Sequence, residues 1–175
     1  MSDRCKLPYR IGHGYDLHRL EAIAPAGAGR PMILAGVKLD HTTGPVGHSD
    51  GDVVYHAVTD AILGALGEPD IGQLFPDTDP ANEAMDSSVF VEAAAQKMRE
   101  AGYTLGNLDI TVVCEQPKIG PHKAQMIANI ARLLSCDPSQ VNLKGKTHEQ
   151  VDAIGEGRAI EVHAVVLLTT TDQPI

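Results

Sequence analysis

Residues 8–18 read PYRIGHGYDLH, and whether this run is a β-strand decides the fold and the place of the first candidate site. Successive side chains of an extended chain point to opposite sides, so residues two apart share a face. Asp16 and His18 then stand together. A carboxylate beside an imidazole is either a local hydrogen-bonded pair or two members of a metal site, and spacing alone leaves both readings open.

Outward from this strand, APAGAG (residues 24–29) is a small-residue loop leading to a second strand, RPMILAGVKLD (residues 30–40). HSDGDVVYHAVTDAILGAL (residues 48–66) then places Val54, Ala57, Val58, Ala61, Ile62 and Ala65 at helical spacing, with Ser49 and Asp52 resembling a capping box at its start. A Pro-, Gly- and Asp-rich loop over residues 67–86 precedes a second helix, SSVFVEAAAQKMREAG, closed by Gly102. NLDITVVCE alternates as a strand, PHKAQMIANIARLLS is a third helix, and VNLKGKT and AIEVHAVVLLTT are closing strands. Strands and helices mixed within one core predict an α+β sandwich: a ferredoxin-like, mixed four-stranded sheet with helices on one face, in a single domain spanning residues 1–175.

Composition narrows the partners. A chain of 175 residues with 43% hydrophobic and 21% charged residues is ordinary for a globular domain. A net charge of −9, only 3% aromatics and no Trp weigh against nucleic acid. Cys5, Cys114 and Cys136 are odd in number and form no C-x-x-C, so they read as free thiols in a reducing compartment. No apolar run serves as a signal peptide or approaches the ~20 residues a membrane span needs, and the expectation is a cytoplasmic protein without membrane contact.

The chemistry gathers at a few places. Asp52, His56 and Asp60 recur at i, i+4, i+8 and are expected to share a polar stripe on the first helix, which makes His56 the third metal candidate beside Asp16 and His18. Three protein ligands with one open position suit a catalytic zinc, but three scattered residues are not a motif in themselves. His48 and Ser49, at the helix start, suit a phosphate or plain capping. DIGQLFPDTDP brings Asp70, Asp77 and Asp79 into one loop, suited to hydroxyls or a cation and equally to ordinary turns. EQPKIGPH and KGKTHE end two strands with Lys118, Lys144 and Lys146, local positive charge in an acidic chain.

RIGHGYDLHRL, HSDGDVVYHAVTDAILGALGEPDIGQLFPDTDP, GYTLGNLDITVV, QPKIGPH and VNLKGKTHE, five collinear runs over residues 9–168, resemble the 2-C-methyl-D-erythritol 2,4-cyclodiphosphate synthase family of non-mevalonate isoprenoid biosynthesis. The resemblance implies a homotrimer with active sites between subunits. It implies one zinc per subunit, with manganese as the alternative, on Asp16, His18 and His56, and a magnesium ion that bridges the substrate diphosphate and uses Glu149. It implies substrate contacts from Asp16, Leu17, His18 and Asp60, with the 2-phosphate at His48 and Ser49. The erythritol would lie along Asp70, Ile71, Gly72, Phe75, Pro76, Asp77, Thr78 and Asp79. From a neighbouring subunit, Cys114, Pro117, Lys118, Ile119 and Gly120 would hold the cytidine, and Lys146, Thr147, His148 and Glu149 the diphosphate.

The implied reaction is a phosphorus–oxygen lyase step. The 2-phosphate of 4-diphosphocytidyl-2-C-methyl-D-erythritol 2-phosphate attacks the β-phosphorus, closes a ring and expels CMP, with His48 and Thr147 donating to the transition state. Two other readings compete: a zinc hydrolase with Asp52 or Asp60 as base, and a non-catalytic trimer binding isoprenoid diphosphates. Family members often carry an aromatic and a G-R-G-E-G run where this chain has Ala153 and GEGR, ending at Arg158. With Glu156 at the arginine's place, weak binding of farnesyl diphosphate is expected.

Overall fold

A computed structural model describes residues 7–76 and 85–171. The opening run is indeed a strand, and a long one: β1 spans Tyr9–Ala22. It pairs antiparallel with β7 (Ala159–Thr170), which pairs antiparallel with β5 (Tyr103–Val113), and β5 runs parallel to β6 (Val141–Lys146). The sheet has five strands rather than four. The fifth is the short edge β4 (Thr43–Pro45), which continues the order β4-β1-β7-β5-β6. Three residues containing Gly and Pro carry no period-2 signal, so β4 is visible only in its pairing with residues 20–22.

The expected second strand is not one. Residues 33–38 form a separate hairpin, β2 (Ile33–Leu34) and β3 (Val37–Lys38), turned by Ala35 and Gly36 at positive φ. Four consecutive apolar residues, Met32 to Ala35, suggest a buried strand, but here Met32, Leu34 and Ala35 enter the core individually and Ile33 stays partly exposed.

Helices α1 (Val53–Leu66), α3 (Ser88–Glu100) and α4 (Lys123–Leu134) lie where periodicity places them. The single turns α2 (Ile71–Leu74) and α5 (Asp152–Gly155) are too short for a periodic signal. α1 packs on β1 and β7, α3 on α1 and β5, and α4 on β6 and α3, so the helices cover one face of the sheet. On β1 the even positions face them and the odd positions Tyr9, Ile11, Tyr15 and Leu17 are exposed on the other face.

The contact between β1 and α1 is unusually close. A Cβ at Gly12 would meet Ala61 O at 1.9 Å, and one at Gly14 would meet Ala57 O at 1.9 Å. Two bare glycines thus lie on an alanine ridge, Ala57, Ala61 and Ala65, one helical turn per step. Asp16 and His18 follow on the same face of β1, and His56 precedes Ala57 on α1, so this contact sets the distance between them.

The start of α1 corrects two expectations. The N-cap is Asp52, not Ser49, and it is fully buried rather than on a polar stripe. Its carboxylate accepts from Ala35 N (2.9 Å) and Gly36 N (2.7 Å) of the hairpin turn and from Val54 N and Tyr55 N (3.1 and 3.2 Å) of the helix. The first helix amides are therefore spent on Asp52, and His48 and Ser49 precede the helix without sharing them.

Candidate functional site

Asp16, His18 and His56 converge. His56 Nδ1 lies 2.9 Å and His18 Nδ1 3.1 Å from the same oxygen, Asp16 Oδ2. The two imidazole rings are 5.3 Å apart and tilted. Burial pushes the Asp16 carboxyl up, but the two imidazoles outweigh it and hold the group at about 2. Burial pulls His56 down, and the hydrogen bond and charge of Asp16 reverse this, raising it above the ordinary histidine value.

This donor set fits a metal ion. One atom from each side chain lies within 4.8 Å of the others, and two imidazole nitrogens with a carboxylate oxygen match a borderline divalent cation. His18 Nδ1 is buried and makes no hydrogen bond, because its approach to Asp16 is off-line despite the short distance. A buried lone pair or N–H without a partner is costly, and a shared cation removes that cost. Among the described residues no cysteine joins the group.

Behind His56 lies a polar shell that sequence reading missed. His56 Nε2 is 3.1 Å from Ser49 Oγ and 3.0 Å from Ser87 Oγ. Ser87 is buried at the start of α3 and bonds through its hydroxyl and its amide to Asp50. Phe90, one helical turn into α3, packs its ring on His56 at 5.8 Å and on Phe75 at 4.6 Å. DSS before a helical run signals a cap, and nothing local in it points to a histidine 31 residues away.

A cavity of about 420 Å³ opens beside the trio, lined by Leu17, His18, His48, Ser49 and His56 and, on its far wall, by Ile71, Gly72, Phe75 and Phe90. Asp70 is instead the cap of α2, accepting from Gln73 N at 2.9 Å, and does not line the cavity. Asp60 accepts from Ile71 N at 2.9 Å and so anchors this wall. Pro76 ends the described part of the loop, and Asp77, Thr78 and Asp79 lie outside the described residues.

A second cavity, about 480 Å³, shares no lining residue with the first. It gathers Cys114, Pro117, Lys118, Ile119 and Gly120 from the end of β5 with Lys146, Thr147 and Glu149 from the end of β6. The parallel pairing of β5 and β6 brings these two strand ends together. Thr147 donates to Glu149 Oε1 at 2.9 Å. Burial pushes the Cys114 thiol up to about 11, so it lines the cavity as an apolar group. Two residues stand apart: His148 pairs with Asp152 at 2.9 Å, and Lys144 with Asp109 at 2.5 Å on the sheet, so the latter lysine is not part of the local positive charge expected here.

The family profile described as "YgbB family" matches residues 9–169. The chain belongs to the YgbB family. Among its relatives, 2-C-methyl-D-erythritol 2,4-cyclodiphosphate synthase, chloroplastic, of Arabidopsis thaliana is 56% identical over 162 residues, 93% of this chain and 68% of the plant protein. The synthase of Bordetella pertussis is 49% identical over 162 residues, covering 93% of this chain and 96% of the bacterial one. Among solved structures, the CDP complex of IspF from Plasmodium falciparum superposes with a TM-score of 0.82 at 39% identity, over 94% of this chain and 98% of the other. The family resemblance carried by the five motifs is borne out, and the trio lies on two of them, one on β1 and one on α1.

Proposed function

We propose that this YgbB-family chain is a metal-dependent 2-C-methyl-D-erythritol 2,4-cyclodiphosphate synthase, a phosphorus–oxygen lyase of one catalytic domain. The observation that carries this reading is the convergence of Asp16, His18 and His56 beside a cavity, in a chain 56% identical to a protein of that name. These three residues would hold zinc, or manganese in its place, and Glu149 would serve magnesium with the substrate diphosphate. The bound cations supply Lewis-acid polarisation and charge neutralisation at the phosphoryl oxygens.

The chain's own residues orient the two phosphates. His48 is exposed at the mouth of the first cavity, and Arg30, bonded to its carbonyl at 3.1 Å, fixes its backbone. With the α1 amides occupied by Asp52, contact to the 2-phosphate rests on the His48 ring and the Ser49 hydroxyl rather than on the helix end. Ile71, Gly72 and Phe75 shape the wall for the methylerythritol. In the second cavity Lys118 and Lys146 meet a cytidine diphosphate, and Thr147 donates to it once its proton turns from Glu149.

Because the two cavities share no residue, one chain offers two half-sites, and assembly is how they meet. The exposed apolar residues Tyr9, Ile11, Tyr15, Leu17 and Val165 on the open face of the sheet support association of like chains, which we take to be a homotrimer. Cys114 and Cys136 are free thiols, which supports a reducing compartment such as the cytoplasm; no helix among the described residues is long and apolar enough to cross a membrane. The hydrolase reading has less support: Asp52 is buried against four amides, Asp60 accepts from Ile71, and neither lines the cavity beside the trio.

Product analysis tests the proposal. Purified protein with zinc, magnesium and 4-diphosphocytidyl-2-C-methyl-D-erythritol 2-phosphate is expected to yield a cyclic diphosphate and CMP, monitored by phosphorus NMR. A ring-opened phosphate product, or no turnover, would refute it.

A further inference from the structure

Ser87 occupies the N-cap position of α3 yet makes no capping bond. Its hydroxyl instead lies among three groups, 3.0 Å from His56 Nε2, 3.4 Å from Ser49 Oγ and in a short hydrogen bond to Asp50 Oδ1, while its amide donates to Asp50 Oδ2 at 3.1 Å. A carboxylate only accepts, and a hydroxyl has one proton to give. Ser87 gives that proton to Asp50, so its oxygen has only lone pairs left for His56. The hydrogen between Ser87 and His56 therefore belongs to Nε2. The other nitrogen, Nδ1, lies 2.9 Å from Asp16 Oδ2, which as a carboxylate accepts its hydrogen while no cation is bound; a metal displaces that hydrogen, and Nε2 keeps its own.

We propose that Asp50 and Ser87 are positioning residues that lock His56 in its Nε2–H tautomer, so that Nδ1 presents a lone pair to the metal. The inference rests on reading Asp16, His18 and His56 as metal ligands. It has a second consequence. Ser49 Oγ is 3.1 Å from the same Nε2 and already accepts from Gly51 N at 3.1 Å. With Nε2 as the donor, the Ser49 proton is not required by His56 and is left to Ser87 Oγ, 3.4 Å away, or to the cavity that Ser49 lines. One carboxylate thus turns His56 toward the metal and releases the Ser49 proton from it. Outer partners of this kind orient a ligating histidine, and their loss typically costs about 10–100-fold in metal affinity.

The test combines zinc calorimetry with 15N NMR of the imidazoles. Zinc-loaded wild-type protein is expected to bind one tight equivalent and to show a hydrogen on His56 Nε2. Ser87→Ala removes no helix cap and is expected to weaken zinc roughly 10–100-fold while circular dichroism stays native. Ser87→Thr, which keeps the hydroxyl, is expected to restore affinity. Asp50→Ala frees the serine proton to turn toward His56 and compete for Nε2, so this variant is expected to lose zinc affinity by a similar factor. A hydrogen on His56 Nδ1 of the zinc-loaded wild type, or unchanged zinc affinity in both Ser87→Ala and Asp50→Ala, overturns the relay. Failure of the wild type to bind a tight equivalent overturns the metal site and the relay with it.

Discussion

Replacing Gly14 by alanine perturbs the contact that spaces the three candidate metal ligands. The added Cβ would sit 1.9 Å from Ala57 O and 2.6 Å from Ala61 N, where ordinary van der Waals contact begins at 3.4 Å. Both obstacles are backbone, so no rotamer relieves them. From 1.9 Å to 3.4 Å the helix must retreat by about 1.5 Å, or β1 must bend away from β7 by as much. His56 is adjacent to Ala57, so its Nδ1, now 2.9 Å from Asp16 Oδ2, retreats with it. Metal–ligand bonds tolerate errors of about 0.2 Å, several times less than this displacement. Overpacking of a tight core costs typically about 1–3 kcal/mol, and an unyielding backbone contact on both sides places this variant at the upper end. Urea unfolding of metal-free protein reads the stability loss through its midpoint, and zinc titration reads the ligand geometry. Gly14→Ala is expected to lose about 3 kcal/mol and at least about tenfold in zinc affinity. A loss below about 0.5 kcal/mol with unchanged zinc affinity would refute the claim that this contact sets the site.

Asp52→Ala is expected to cost about 3 kcal/mol or more, measured by urea midpoint, because it strips a helix cap and leaves four amides short of their acceptor; a cost below about 1 kcal/mol would contradict that role. In the metal-free protein, Asp16 has a folded value depressed from 3.8 to about 2, so its contribution is present above pH 3.8 and lost as pH falls toward 2. His56 is raised, so its contribution is full below 6.5 and lost as pH rises through the raised value. Unfolding midpoints against pH should show both limbs, and His56→Ala should erase the alkaline one. Mixed assemblies of inactive His18→Ala and Glu149→Ala chains are expected to regain partial turnover, because the two cavities lie apart on one chain; no recovery after confirmed subunit exchange would argue for sites within one chain. Arg158 is held by Glu156 at 2.5 and 2.7 Å, so calorimetry should find farnesyl diphosphate binding weakly and Glu156→Ala improving it; tight binding by the unaltered protein would reverse this reading.

Several features of this protein were legible in the chain because they are local. The period of two along β1 predicts that Asp16 and His18 share a face, and the period near 3.6 predicts α1, α3 and α4, because side-chain direction follows backbone geometry residue by residue. The closing strand β7 begins and ends at the expected residues for the same reason. Family motifs added His56 as the third ligand, which spacing alone left open.

Other features exist only through contacts between distant residues. Asp52 and Ser49 look alike as caps; Asp52 prevails because the hairpin turn at Ala35 and Gly36 supplies two further amides that only the folded chain brings to it. The edge strand β4 has no pattern of its own and exists by pairing with β1. Ser87 and Asp50, 37 residues apart, meet because α3 packs beside α1. The chain thus named three candidate metal ligands, while packing decided their spacing, through two glycines laid on a helix, and placed a serine and an aspartate behind one of their rings. Local geometry repeats along a sequence and can be read from it; a contact between distant segments has no repeat, and exists only when the whole core closes around it.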